Sequence, residues 1–458
     1  MSRSAHRARN EPAATPWLAL VWLAGCLLLG GASNAGLLAN ALLQAGAIAI
    51  IAAAIWRRRG TLWQAERLPA LILALVLGGG LLSLVPLPPA LWTALPGRGA
   101  LEAGYRLLGM DLPWLASSLT DERTVRSLLA LLVPLASYLA VRGLLPRQSQ
   151  RLVWLLVGFA VLSVMLGTAQ YLGGSDSPLR PYQITNRTVA VGFFANANHF
   201  ATLLLVTVGL AFAANYRAAQ RRKSALTKLP VDAAAPYVIA GLMMVGLLLA
   251  GSGAGLLLAG PALAIGWLIR RSRGGAAGRT AARAVGALAL VGLIAAVALL
   301  ASGRISDKLG TSATSRSTVT SGTLQAAADY FPTGSGLGSF AQVYLAQSGG
   351  QGTTREWMNH AHNDLAEVLL EFGLVGALAM LLTLAWLAWS TLRLWRNPGL
   401  GETGDLARGA ALACWLMFAH SLVDYPLRTA AMAALFGMTA ALISNAFAPA
   451  PPVEPVQP

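Results

Sequence analysis

Long apolar runs follow one another along almost the whole chain, separated by short polar or basic breaks. Twelve of them approach or exceed the length needed to cross about 30 Å of hydrocarbon as a helix. They cover residues 16–33, 36–56, 68–86, 124–145, 151–172, 188–214, 236–251, 254–270, 284–302, 366–391, 406–421 and 428–447. The runs are too long for barrel strands and do not alternate, which excludes a β-barrel. The pattern predicts an all-α polytopic membrane protein of about twelve transmembrane helices. One polar stretch, 302–364, interrupts the succession and forms a long loop between helices nine and ten. The expected division is a tail over 1–15, helices one to nine over 16–301, the long loop over 302–365, helices ten to twelve over 366–447, and a tail over 448–458. That last tail carries five prolines and is expected to be disordered.

Composition agrees with this picture: 56% of residues are hydrophobic and 11% charged, against about 25% charged in soluble domains. The net charge of +16 would suit nucleic acid if it were gathered in one patch. It is not. Arg57/Arg58/Arg59/Arg67, Arg142/Arg147/Arg151, Arg217/Arg221/Arg222/Lys223/Lys228, Arg270/Arg271/Arg273/Arg279/Arg283 and Arg393/Arg396/Arg408 fall in alternate loops. These loops lie on the same side as the N-terminal tail and together with it hold 23 of the 34 basic residues. The positive-inside rule makes that side cytoplasmic, with both termini there. The charge then reflects topology and anionic lipid, and no nucleic-acid partner is expected. Arg3, Arg7 and Arg9 before the first run mimic a signal peptide, but no clear cleavage site follows, so the run is read as a retained helix. Cys26 and Cys414 lie inside apolar runs and make neither a disulfide framework nor a zinc site.

The opposite, outward side receives two long loops. Residues 87–123, with Pro88, Pro89, Trp92 and Trp114, suit a partly interfacial segment with aromatic anchors. The second, 302–364, ends in Trp357-Met-Asn-His-Ala-His-Asn-Asp364, so two of the chain's five histidines stand within three residues at a water–lipid boundary. A neutral imidazole, with a pKa near 6.5, can take a proton from a hydroxyl. Asp364, Glu367 and Glu371 follow, the two glutamates sharing a helix face at i, i+4; either can orient an imidazole or hold a sugar hydroxyl. An alternative is that these groups only solvate a helix start, where carboxylates favour the positive dipole end. A His-x-His metal site needs further ligands, and none is obvious.

Outward arginines run against the topology preference and need another reason: Arg180, Arg187, Arg304, Arg316, Arg355 and Arg428. Guanidinium forks match phosphate oxygens bidentately, which suits a lipid-linked phosphate; pairing with Asp424, Asp329 or lipid head groups is the alternative. Asn196, Asn198 and His199 sit in an apolar run, where they line a cavity or bond between helices. Gly334-Ser-Gly-Leu-Gly-Ser-Phe340 lacks the lysine and the strand–helix setting of a P-loop, and reads as a turn packing the loop onto the bundle.

Four patterns resemble the O-antigen ligase and O-antigen polymerase superfamily: Arg187-x4-Gly192-x-Phe194-x-Asn196-x-Asn198-x-Phe200, Pro332-Thr-Gly-Ser-Gly-Leu-Gly-Ser-Phe340, His362-Asn363-x3-Glu367 with Glu371-x-Gly373-x2-Gly376, and His420-Ser-x2-Asp424-Tyr-Pro-Leu-Arg428. The histidine pattern is the most specific. The resemblance implies an inner-membrane glycosyltransferase with a periplasmic site, transferring glycan with inversion and without a metal or other cofactor. Its donor would be an undecaprenyl-pyrophosphate-linked glycan. Its acceptor would be the lipid A core or another lipid-linked glycan, or a Ser or Thr if the chain glycosylates protein. On that basis the catalytic set is His362, Glu367 and Asp364, with His362 activating the acceptor hydroxyl. The substrate-binding set is Arg187, Arg428, Arg316, Asn196, Asn198, His360 and Asp424. The family often has Ser-Arg-x-Gly between helices seven and eight; here that place reads Ser252-Gly253-Ala254-Gly255. Other readings are a transporter or flippase for lipid-linked sugars and a non-catalytic subunit of a polysaccharide export complex. A transporter would put charge near the bilayer midplane, whereas here most ionisable residues lie at helix ends and in loops.

Overall fold

The computed structural model describes residues 16–32, 38–57, 67–214, 231–271, 306–347 and 358–448. The expected helix 284–302, both tails, most of the basic loops 57–67, 217–228 and 270–283, and Arg304, Arg355 and Trp357 lie outside the described residues, as does the side chain of Arg316.

In chain order the helices are α1 (Pro16–Leu29), α2 (Leu38–Arg57), α3 (Arg67–Leu82), α4 (Pro89–Trp92), α5 (Gly99–Leu107), α6 (Asp121–Ala130), α7 (Leu132–Val141) and α8 (Pro146–Leu172). There follow α9 (Ala197–Ala213), α10 (Val231–Ala250), α11 (Gly253–Arg271), α12 (Ser306–Tyr330), α13 (Phe340–Gln347), α14 (Asp364–Arg396), α15 (Gly401–His420) and α16 (Ala430–Asn445). The described residues add one short antiparallel pair, β1 (Pro86–Leu87) with β2 (Leu115–Ala116). Five stretches are long and apolar enough to cross a membrane: α2, α6 with α7, α8, α11 and α14. Shorter apolar helices surround them. This is a multi-pass, all-α membrane protein; the described residues leave the count of twelve open.

The centre of the bundle is α9, whose side chains are buried along almost its whole length. It packs against α8, α10, α11 and α15. Small residues permit the closest crossing: a methyl group on Gly409 would come 2.9 Å from the Gly209 carbonyl oxygen. Between apolar helices such close backbone approach replaces the hydrophobic drive, which lipid does not supply. α16 lies against α7 in the same manner, Gly437 over the carbonyl of Pro134.

Two boundaries differ from expectation in ways that matter. The run 188–214 is not one helix; residues 188–196 form a loop and α9 begins at Ala197, capped by the Asn196 side chain on the Asn198 amide. The loop is fixed from α8 by Gln170, fully buried. Its Oε1 accepts from the amides of Val191 and Gly192, and its Nε2 donates to the carbonyls of Leu179 and Gly192. Nor is 302–364 a plain loop: it contains α12 and α13.

Candidate functional site

α14 starts where the polar stretch meets the bundle. Asn363 caps it, its Oδ1 accepting from the amides of Leu365 and Ala366, both at 3.1 Å. The chain reaches that cap through His362, whose φ of +52 is the only positive value of a non-glycine residue among the described residues. Strained backbone of this kind persists where surrounding contacts enforce it, often at functional positions. The first turn is anchored on the segment after α15: the Asp364 amide donates to the Ser421 carbonyl at 2.9 Å, and the Ser421 hydroxyl donates to Asp364 Oδ2 at 2.8 Å.

Each histidine meets a carboxylate through Nδ1. His360 lies 2.8 Å from Glu367 Oε1, and His362 lies 3.2 Å from Asp424 Oδ1. The second oxygen of Glu367 accepts the Ala361 amide at 2.8 Å, while Asp424 Oδ1 also accepts the Tyr425 amide at 2.9 Å. A carboxylate on Nδ1 keeps the proton there and leaves Nε2 as a lone pair, the arrangement a base requires. Both rings are partly open, and Ala361 between them is buried.

Tyr425 stands among three imidazoles, its ring centroid 4.4 Å from that of His360, 5.1 Å from His362 and 5.1 Å from His199. The Asn196 and Asn359 side chains bond its hydroxyl; burial first, and Asp424 next, push its pKa up to about 12. His199 is wholly buried, with neither ring nitrogen hydrogen-bonded among the described residues. His420 is buried behind it, 2.9 Å from the Thr202 hydroxyl.

Arg428 has a different environment from the one expected. Its guanidinium lies 3.4 Å from Asp364, 3.4 Å from Glu367 and 3.0 Å from Glu371. Burial works against its charge, but Glu367, Glu371 and Asp364 outweigh burial and hold the pKa well above the usual arginine value. Three carboxylates thus surround this cation. Glu371 also accepts the Phe340 amide at 3.2 Å, so Arg428 joins α14 to the glycine loop. That loop packs as the sequence suggested: Ser335 and Gly336 donate to the carbonyls of Leu370 and Glu371 at 3.0 and 2.9 Å. At Gly373 α14 breaks (φ +50, ψ −132), and the Leu374 amide turns to the Pro332 carbonyl at 2.9 Å. A side chain at Gly373 would strike that carbonyl.

Arg187 is exposed; its guanidinium donates to the Gln183 carbonyl at 3.2 Å and has no ion pair among the described residues. Its neighbour Asn186 bonds the Ala197 amide at 2.9 Å, one residue from Asn196 and thus next to the Tyr425 hydroxyl. Arg180 spans the same loop, donating to the carbonyls of Gly174, Asn186, Arg187 and Val189. Burial lowers its pKa, and the adjacent Arg187 lowers it further. The turn with Gly253 in place of an arginine lies beneath this loop, where the Ala190 amide donates to the Leu249 carbonyl at 3.0 Å. Ser252 caps α11 there, on the Gly255 amide. Asn198 follows in α9, its carbonyl accepting from Thr202 at 2.9 Å.

Sequence reasoning placed His360, His362, Asp364, Glu367, Glu371, Asp424 and Arg428 near one another, and they are together. It did not single out Gln170 or Tyr425. A lone amide ending an apolar run, and a tyrosine beside a membrane-edge aspartate, were the available signals. Among the described residues no group of three or more His, Cys, Asp or Glu side chains is arranged to hold a metal.

The fold and this cluster define a multi-pass helical membrane protein with paired imidazoles and carboxylates at one end of its bundle. Residues 238–381, from α10 into α14, match the family model described as O-Antigen ligase. The match supports placing the chain in the O-antigen ligase and polymerase superfamily. It includes His360, His362 and the three α14 carboxylates; Arg187, Asp424 and Arg428 lie outside it. No curated protein matches the chain.

Proposed function

We propose that the protein is an inverting glycosyltransferase of the bacterial inner membrane. It moves a glycan from an undecaprenyl-pyrophosphate donor to an acceptor hydroxyl on the periplasmic face. The observation that carries the reading is the His362–Asp424 pair, joined through Tyr425 and Asn196 to the loop that carries Arg187, an arginine free of carboxylates among the described residues.

In the reaction the acceptor oxygen attacks the anomeric carbon while its proton passes to His362 Nε2. Asp424 stabilises the imidazolium that forms. The bond from the anomeric carbon to the diphosphate oxygen breaks, the electron pair leaves with the diphosphate, and Arg187 meets that charge. A single displacement inverts the anomeric configuration. Charge supports this division. The three carboxylates around Arg428, with Asp424 on His362, repel a diphosphate, so the donor phosphates belong on the Arg187 side and the acceptor hydroxyl on the histidine side. Arg428 is then a brace, not a phosphate ligand, and His360 with Glu367 shapes the acceptor side.

The test is transfer in proteoliposomes supplied with lipid-linked glycan. His362→Ala should lower the rate by at least about 100-fold with normal protein yield; an unchanged rate overturns the assignment. Offering lipid A-core, lipid-linked glycan or a Ser/Thr peptide as acceptor separates a ligase from a polymerase and from a protein glycosyltransferase.

A further inference from the structure

The outer segment between α3 and α6 is a self-contained ledge. It leaves the bundle at Ser83 and returns at Ser118, whose amide donates to the Ser83 carbonyl at 2.9 Å. β1 and β2 close its base, pairing Pro86 with Ala116 and Leu87 with Leu115. Its centre is Trp92, buried, with Nε1 donating to the Pro113 carbonyl at 2.9 Å and the ring edge-on to Tyr105. Arg98 fastens the ledge to the rest of the site. Its buried guanidinium donates to the carbonyls of Ser117 and Gly334 and lies 5.2 Å over the Tyr330 ring.

With its own core filled, the ledge still leaves large apolar side chains outside: Leu91, Leu101, Leu107 (88% exposed), Leu108 (73%), Met110 and Trp114 (66%). On α5 and its C-terminal cap they stand apart from the charges. Leu101 and the cap residue Leu108, seven residues on, share one side, Leu107 flanks it, and Glu102 and Arg106 form an ion pair at 2.6 Å on the other. A patch of this kind on a surface bathed in water marks an interaction site. The lipid-facing end of α3 supplies the continuity, because exposed Leu81, Leu82 and Val85 run directly into the ledge.

We infer that the face formed by Leu101, Leu107, Leu108, Met110 and Trp114 lies in the outer-leaflet interface of the bilayer, at the boundary of head groups and acyl chains. An amphipathic helix with a flanking tryptophan is the form such contacts take. Through Arg98 and the glycine loop the ledge is tied to Glu371, so lipid contact sets the height of the histidine–carboxylate cluster above the membrane. The inference rests on the chain spanning a membrane and not on the reaction proposed above.

It is tested by single-cysteine variants Leu107→Cys, Leu108→Cys and Glu102→Cys, each carrying an environment-sensitive fluorophore, in proteoliposomes of phosphatidylethanolamine and phosphatidylglycerol. The labels at 107 and 108 should be quenched by nitroxide on the upper acyl chain and show iodide quenching severalfold weaker than the label at 102. Equal iodide quenching at all three positions would put the face in water and overturn the inference. Shielding of 107 and 108 from both quenchers would also overturn it, assigning the face to a second copy of the chain or another protein.

Discussion

The two histidine–carboxylate pairs look alike but are held differently. His360 is locked: its partner Glu367 is buried, shared with Arg428 and bonded to the Ala361 amide. His362 is poised: its partner Asp424 stands outside the Arg428 cluster, the contact is longer, and the backbone beneath the ring is in the left-handed region. A ring whose carboxylate is itself tied to Arg428 suits shape and charge, whereas a ring carried on strained backbone with one orienting carboxylate suits proton transfer. On the proposed mechanism the difference separates a base from a supporting residue of the same type, two positions apart.

The sharpest way to break the comparison is to remove each ring in turn. His362→Ala should cost about 10³-fold in turnover, and His360→Ala much less, measured as kcat for glycan transfer. Equal losses would erase the distinction. Next, Asp424→Asn should lower turnover about 10²-fold, because an amide can donate to Nδ1 and so move the ring proton to Nε2. Binding of the donor should not change; a loss confined to KM would show that Asp424 serves substrate instead. Arg187→Lys keeps the charge and loses the fork, so an increase of about tenfold in donor KM is expected. The smallest effect on rate is predicted for Glu367→Gln, which should act on stability, by about 1–3 kcal/mol, through weakened bonds to Arg428 and His360. Thermal unfolding in detergent checks it against a rate assay on the same preparation.

Much of the bundle was legible because a helix crossing lipid must be apolar throughout, and the runs announce it. Errors fall where apolar composition and helical backbone part company. Residues 188–196 read as the start of a span, yet Gly192 at φ +56 and the distant Gln170 amide hold them as a loop. α8 begins at Pro146, before the apolar run, since proline at the first helical position and the Gln148 bond to the Leu145 amide leave no apolar trace. α12 is helical but polar, so hydropathy could not reveal it. At the site, residue types pointed to histidines and carboxylates that the fold does bring together. The pairing did not follow, because Asp424 lies 62 residues from His362 in sequence and the nearer Glu367 was the more obvious partner. The three carboxylates that enclose Arg428 were equally hard to foresee, because they come together only when the first turns of α14 meet the segment after α15.

The break at Gly373 has a mechanical consequence. A continuous rod tilts as a whole when the surrounding bilayer thins or thickens. Here the helical ladder is interrupted, and the turn from Asp364 to Phe372 is bonded to the glycine loop and to Ser421 instead. The long membrane segment beyond Gly373 can therefore lean to match its hydrocarbon surroundings while the acidic turn keeps its orientation, insulating the histidine–carboxylate geometry from variation in lipid composition.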